Sequence, residues 1–244
     1  MKKNNDILFF ESFVQFPSLV HGFSTRAFGN MNPAESHSQE AVNVFTKAIG
    51  IDAQKLVRME QTHGKTVIWV SQKDTATIIP EVDGLLTDKE NVFLGVKVAD
   101  CVPLLLYDPK KNIVGAVHAG WRGLFKEIIP EAIAQMKTRG SNPADIIAGI
   151  GPCMGVCCYD IAPDHRDKLL KKFPAWEEFI ETRAAKYFLN LSAIASAQLL
   201  AAGVTNEHIE SGDYCTMDHS DVYSYRREGE ESGRMIGIIG LQSS

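Results

Sequence analysis

The chain has 244 residues, 45% of them hydrophobic and 23% charged, with 30 acidic against 25 basic side chains and a net charge of −5. That composition is ordinary for a folded globular protein and excludes a disordered, collagen-like or coiled-coil chain. With no basic excess, nucleic acid and anionic membranes are poor partners, which leaves small molecules or another protein.

Near the N-terminus the apolar run at 7–10 stops at Glu11, short of the roughly 7–15 residues that a signal peptide needs. The uncharged stretch at 188–206 carries Asn190, Ser192 and Gln198 and is too polar to span a membrane. Five cysteines (Cys101, Cys153, Cys157, Cys158 and Cys215) are an odd count. Together these features predict reduced thiols and a cytoplasmic protein. A monomer or weak homo-oligomer is expected.

Residues 40–49 read as a helix, with Ala41, Val44, Phe45 and Ala48 on one face and Gly50 beyond its end. Strands are expected at 66–70, 92–98, 102–107 and 113–118 from their β-branched and apolar runs. Leu124, Ile128, Ala132 and Met136 define a helix face over 124–136, in which Pro130 should force a kink or restart. A short buried strand at 146–150 follows, then helices at 164–173 and 191–202. Strands at 222–226 and 235–241 close the chain. No repeat or linker interrupts the pattern, so the expectation is one domain over 1–244. Its class is α/β (α+β) with a mixed sheet.

The centre of the chain carries the chemistry. Asp108-Pro109-Lys110-Lys111 suits a type I turn. If Asp108 pairs with Lys111, then Tyr107 faces Asn112, Leu105 faces Val114, Pro103 faces Ala116, and Cys101 lies opposite His118. Opposed Cβ atoms are about 4.5–5.5 Å apart, close enough for a thiolate–imidazole pair or a shared metal. His63 in Gln61-Thr62-His63-Gly64 is a third donor. Two histidines and one cysteine can bind zinc at about 2.0–2.3 Å and leave a fourth position for water or substrate. The same set suits copper.

Gly120-Trp121-Arg122-Gly123 sits at a strand-to-helix junction. It can present backbone N–H groups and the Arg122 guanidinium to an anion, or serve as a tight turn with a solvated arginine. Asp83 and Asp100 flank the candidate donors and can orient a ligand or carry a proton. Arg226 and Arg227, ahead of Arg234, can supply positive charge for a phosphate or cover a solvated hairpin. Cys153, Cys157 and Cys158 lie among glycines and read as small packing residues. The other histidines share no spacing and read as structural or exposed.

Seven ordered segments resemble one family. They are QTHG (61–64), VDGLLTD (82–88), VADCVPLLLYDP (98–109), VHAGWRG (117–123), IGPCMGVCCYDI (150–161), FLNL (188–191) and CTMDHSDVYSYRREGEESGRM (215–235). The chain resembles the bacterial laccase-domain family, also called polyphenol oxidase or peptidoglycan editing factor, over most of its length from about Phe23. Family members are described as zinc-dependent purine nucleoside phosphorylases with adenosine deaminase activity. The resemblance implies one metal held by His63, Cys101 and His118. It also implies a role for Arg26 in Phe23-Ser24-Thr25-Arg26, so Arg26 and Arg122 are candidate phosphate anchors. After Arg26 the chain departs from the family's usual Gly-Gly-x-Ser loop. The implied fold is a layered α/β sandwich like the catalytic domain of cytotoxic necrotizing factor. The implied substrates are purine nucleosides (adenosine, inosine, methylthioadenosine) and phosphate. Copper-dependent phenol oxidation, or Cys101/His118 hydrolysis of a peptidoglycan precursor, are the alternatives.

Overall fold

Strand side chains alternate between two faces, and in this protein both faces of the central strands are apolar. In the strand Val102–Asp108, Val102, Leu104 and Leu106 enter one core cluster while Leu105 and Tyr107 enter another. In the strand Met235–Leu241, Met235 and Ile239 point one way and Ile236 and Ile238 the other. A strand buried on both faces must lie inside a stack of layers.

The computed structural model, which describes residues 1–243, shows those layers. Among the described residues the larger sheet has seven strands. Their order is Lys2–Asn4, Ile7–Phe9, Leu19–Ser24, Met235–Leu241, Phe93–Val98, Leu56–Met59 and Ile78–Ile79. The smaller has six, in the order Ile209–Ser211, Ile147–Ile150, Val102–Asp108, Ile113–Ala119, Gly84–Thr87 and Val67–Trp69. Both mix parallel and antiparallel pairs. Leu94, Val96 and Ile239 of one sheet and Leu105, Val114 and Ala116 of the other fill the space between them. Helix Ser38–Ala48 covers the outside of the larger sheet with Val42 and Phe45. Helices Ile128–Thr138 and Leu191–Ala201 cover the smaller one with Ile129, Ile133, Ile194 and Leu199. A third sheet of three short strands includes the hairpin Ile180–Arg183 and Lys186–Leu189. The result is a single-domain mixed α/β fold. Fully buried side chains such as Leu104 and Phe45 each contribute about 1.5–3 kcal/mol by leaving water. Among the described residues, no helix is long and apolar enough to cross a membrane.

Two expectations change, the hairpin register and the strand at 222–226, and the expected restart of the helix near Pro130 is found. The central hairpin pairs Asp108 with Ile113 and Pro103 with His118, two residues along from the expected register. The loop is longer because Asp108 Oδ1 accepts hydrogen bonds from the Lys110 and Lys111 N–H groups (2.9 and 3.1 Å), and Asn112 takes φ 52°. A shift of two returns every side chain to the same face, so Cys101 and His118 become diagonal instead of direct neighbours. The helical pattern at 124–136 splits before Pro130. Trp121–Phe125 ends, Glu127 takes φ 65°, and Ile128–Thr138 begins. Pro130 then lies in a first turn, where its missing N–H costs nothing. Residues 222–226 are not a strand. Tyr225–Glu228 forms a helical turn whose start is capped by the Ser224 hydroxyl, accepting from Arg227 N–H at 3.2 Å.

Candidate metal centre and cavity

Two of the three expected donors sit where the chain crosses between the sheets. His63 lies between Leu56–Met59 of the larger sheet and Val67–Trp69 of the smaller. Cys101 lies in the short link from Phe93–Val98 to Val102–Asp108. His118 stands near the end of Ile113–Ala119. Both crossings are strained: His63 has φ 58° and Asp100 φ 90°. Such backbone conformations cost about 1–3 kcal/mol and persist only where surrounding contacts fix them.

The fixing groups are two buried carboxylates. Asp83, with 0% exposure, accepts from the backbone N–H of Thr62 (3.2 Å), His63 (3.0 Å) and Gly64 (2.6 Å). It also accepts from His118 Nδ1 at 2.8 Å. Burial pushes its pKa up, but the bonds from His118, Gly64 and Thr62 outweigh that and hold it down at about 2. A charged acceptor on Nδ1 sets the tautomer of His118 and leaves Nε2 free as a ligand. Asp100 accepts from Thr216 Oγ1 (2.6 Å) and Arg226 N–H (2.7 Å), while its carbonyl accepts from Met154 N–H (2.9 Å). It therefore ties two distant loops, around Met154 and from Thr216 to Arg226, to the Cys101 link.

His63, Cys101 and His118 each offer a ligand atom, all within 4.8 Å of one another. His63 Nε2 is 3.9 Å from Cys101 Sγ, and the two imidazoles meet edge to face at 4.8 Å between centroids. Gly120 makes room for this. A Cβ there would lie 2.8 Å from Cys101 Sγ and 3.2 Å from His63 Cδ2. Burial opposes charge on both Cys101 and His118, yet each favours the charge of the other. The thiol is pulled below its usual range and the imidazole raised. The donor chemistry, the fixed tautomer and the spacing fit one metal ion with three protein ligands.

The three donors border a cavity of about 470 Å³. Its walls include Met154, Tyr159 and Tyr225, and its cations are Lys97, Arg226 and Arg234. Burial, and then the charges of Arg234 and Arg58, depress the Lys97 pKa, which marks an electropositive end where an anion gains most. Arg226 also contacts the Asp160 carboxylate at 2.5 Å.

Arg26 and Arg122 do not line this cavity. Arg26 pairs with the Glu228 carboxylate, donates to the Val222 carbonyl (3.1 Å) and lies over the Tyr223 ring. Arg122 stacks on Trp121 and borders a neighbouring depression of about 600 Å³ with Phe125, His165 and Lys172. Arg227 is spent on the carbonyls of Thr216, Met217 and Val222. No local sequence pattern marks Tyr159. Lys97 likewise gains its meaning only from the cations that the fold brings beside it. Cys153 is buried as expected, but Cys157 is exposed and lies near Cys158, Cys215 and Asp218, which packing does not explain.

Comparison with known proteins places the chain in a family. Residues 16–242 match the family model described as multi-copper polyphenol oxidoreductase laccase, and the chain belongs to that family. The Bacillus subtilis (strain 168) protein named purine nucleoside phosphorylase YlmD is 33% identical over 250 residues, 93% of this chain and 90% of that one. A protein from an unidentified prokaryote, named adenosine deaminase RL5, is 31% identical over 239 residues, 88% of this chain and 91% of its own length. The crystal structure of Bacillus licheniformis YfiH superposes with a TM-score of 0.90 at 30% identity, covering 98% of both chains.

Proposed function

We propose that this protein is a zinc-dependent purine nucleoside phosphorylase. It cleaves adenosine, inosine and methylthioadenosine with phosphate to the base and the corresponding ribose 1-phosphate, and it also deaminates adenosine. The observation that carries this reading is the juxtaposition of His63, Cys101 and His118 with a cavity that has aromatic walls and a cationic end. Relatives across nearly the whole chain bear phosphorylase and deaminase names.

Each part of the substrate has a matching part of the cavity. Tyr159 and Tyr225 offer aromatic faces for a purine, beside Met154. Lys97, Arg226 and Arg234 offer charge-assisted hydrogen bonds to phosphate, which must be held while its oxygen bonds to the anomeric carbon and the bond to the base nitrogen breaks. This reading moves the phosphate role from Arg26 and Arg122 to side chains that line the cavity. Zinc held by His63, Cys101 and His118 would supply a Lewis acid for charge developing on the substrate. Asp83 orients the His118 imidazole and fixes the His63 backbone, and Asp100 positions Arg226 through its backbone.

Product analysis with adenosine and inosine, with and without phosphate, tests the reading. Base release should require phosphate, and adenosine should yield inosine without it. Neither product forming would overturn the assignment. A chelator should abolish turnover, zinc should restore it, and Cys101 should react with iodoacetamide only in the stripped protein. A metal-free enzyme that is active, and is inactivated by stoichiometric alkylation of Cys101, would point to thiol hydrolysis instead. The family description and the His₂Cys donor set also suit copper. Phenol oxidation by the copper-loaded protein, exceeding nucleoside turnover by the zinc form, would favour that chemistry.

A further inference from the structure

A second group of soft donors assembles away from the cavity, from two turns far apart in sequence. Cys157 and Cys158 come from the turn that begins at Gly155, where Cys158 N–H donates to the Gly155 carbonyl at 3.0 Å. Cys215 and Asp218 come from a second turn, closed by His219 N–H donating to the Cys215 carbonyl at 3.1 Å. The turns are held in register because Thr216 N–H donates to the Cys153 carbonyl (3.0 Å) and Cys153 N–H to the Tyr214 carbonyl (3.2 Å).

The four ligand atoms all lie within 4.8 Å of one another. Cys157 Sγ is 3.4 Å from Cys215 Sγ and 3.1 Å from Asp218 Oδ2, and Cys158 Sγ is 3.2 Å from Asp218 Oδ1. Two thiolates on one tetrahedral zinc stand about 3.8 Å apart, given Zn–S near 2.3 Å, so little adjustment is needed. Gly155 provides the cradle. Its N–H donates to Cys215 Sγ at 3.3 Å, and a Cβ there would lie 3.1 Å from Cys157 Sγ and 3.3 Å from Cys215 Sγ. Among the described residues no Lys or Arg pairs with Asp218, whose hydrogen-bond partners are the two thiols.

We propose that Cys157, Cys158, Cys215 and Asp218 bind a zinc ion as a closed, four-ligand structural site, separate from the His63 group. Three sulfurs and one carboxylate favour zinc over magnesium or calcium, which take oxygen ligands. The thiols release their protons to solvent on binding. The ion staples the 151–159 loop to the 212–226 loop. The first carries Met154 and Tyr159 into the cavity wall, and the second carries Thr216 and Arg226, which hold Asp100. The site thus braces one side of the cavity without touching substrate.

Elemental analysis of protein purified with reductant and offered zinc decides the matter. Two zinc ions per chain are expected for the wild type. One should remain in Cys157→Ser/Cys215→Ser, which still shields Cys101 from iodoacetamide, and one in His63→Ala/Cys101→Ser. Cobalt loaded into that last variant should show strong thiolate-to-cobalt charge transfer. Asp218→Asn, an exposed change that leaves the core intact, should weaken this zinc about ten- to a hundredfold in chelator competition. A single zinc in the wild type that is lost in His63→Ala/Cys101→Ser would overturn the proposal. So would a Cys157–Cys215 disulfide that persists under reductant and blocks zinc uptake. Failure of the nucleoside assays would leave the two-zinc count unchanged, so the two readings fail separately.

Discussion

Asp83→Asn replaces one atom of the carboxylate on which the centre rests. Oδ2 accepts from Gly64 N–H, Thr62 N–H and the Thr62 hydroxyl, and Oδ1 accepts from His63 N–H and His118 Nδ1. An asparagine offers one acceptor oxygen and one donor group, so one of these sets must be lost. If the amide nitrogen takes the Oδ2 place, two backbone N–H groups at 2.6 and 3.2 Å lose their acceptor. A fully buried donor left so costs about 1–3 kcal/mol, and these two, on half-buried Gly64 and exposed Thr62, cost less. If it takes the Oδ1 place, His118 must accept at Nδ1 and carry its proton on Nε2, the nitrogen that a metal needs. Changes of this kind behind a histidine ligand weaken metal binding about 10–100-fold. We expect a loss of stability of about 1–3 kcal/mol in the first case, or that fall in zinc affinity in the second. Urea denaturation and chelator competition on the same preparation measure both. A variant matching the wild type in stability and in zinc affinity would refute the role given to Asp83.

Gly120→Ala puts a methyl group 2.8 Å from Cys101 Sγ; it should cut zinc affinity at least about tenfold, and unchanged affinity would show that the donors have room to spare. Arg234→Ala should raise the phosphate KM about ten- to a hundredfold with a smaller effect on the nucleoside KM, whereas Arg26→Ala and Arg122→Ala should leave phosphate kinetics near wild type. The reverse ranking in steady-state assays would restore the phosphate role to the latter pair. Burial, only partly offset by the Phe10 carbonyl and Glu210, holds the His21 pKa down at about 4. The ring stays neutral in the fold, accepting from Phe10 N–H at 3.0 Å, but protonates near the ordinary imidazole value of 6.5 when unfolded. Its contribution is therefore complete above about pH 6.5 and is lost as pH falls toward about 4. His21→Gln should flatten this part of the stability–pH curve by on the order of 2–3 kcal/mol, and parallel curves for both proteins would reject the assignment.

The central hairpin and its donors were legible because β-strand periodicity survives a register error of two. Cys101 and His118 fall on one face whether paired directly or diagonally. What the sequence obscured was the turn, where the Asp108 side chain captures two backbone N–H groups and lengthens the loop. Residues 222–226 look like a strand by composition, yet Asp100, more than a hundred positions away in sequence, binds Arg226 N–H and removes it from any ladder. Cys157 and Cys158 read as packing because their partners Cys215 and Asp218 lie on a remote turn. Arg26 matched a motif, but only the fold shows Glu228 beside it. The short strands Lys2–Asn4 and Ile7–Phe9 offer too few alternating positions to stand out.

Placing His63 and Cys101 on the two crossings between sheets also sets the order of assembly. Neither sheet alone brings the donors together, since each crossing is fixed only when both of its flanking strands have found their own layers. In the unfolded chain His63 and Cys101 are 38 positions apart, and closing that loop around an ion without the sheets costs entropy with little in return. On the proposed reading, metal capture is expected late in folding, and the rate at which the three donors become occupied would report the docking of one sheet on the other.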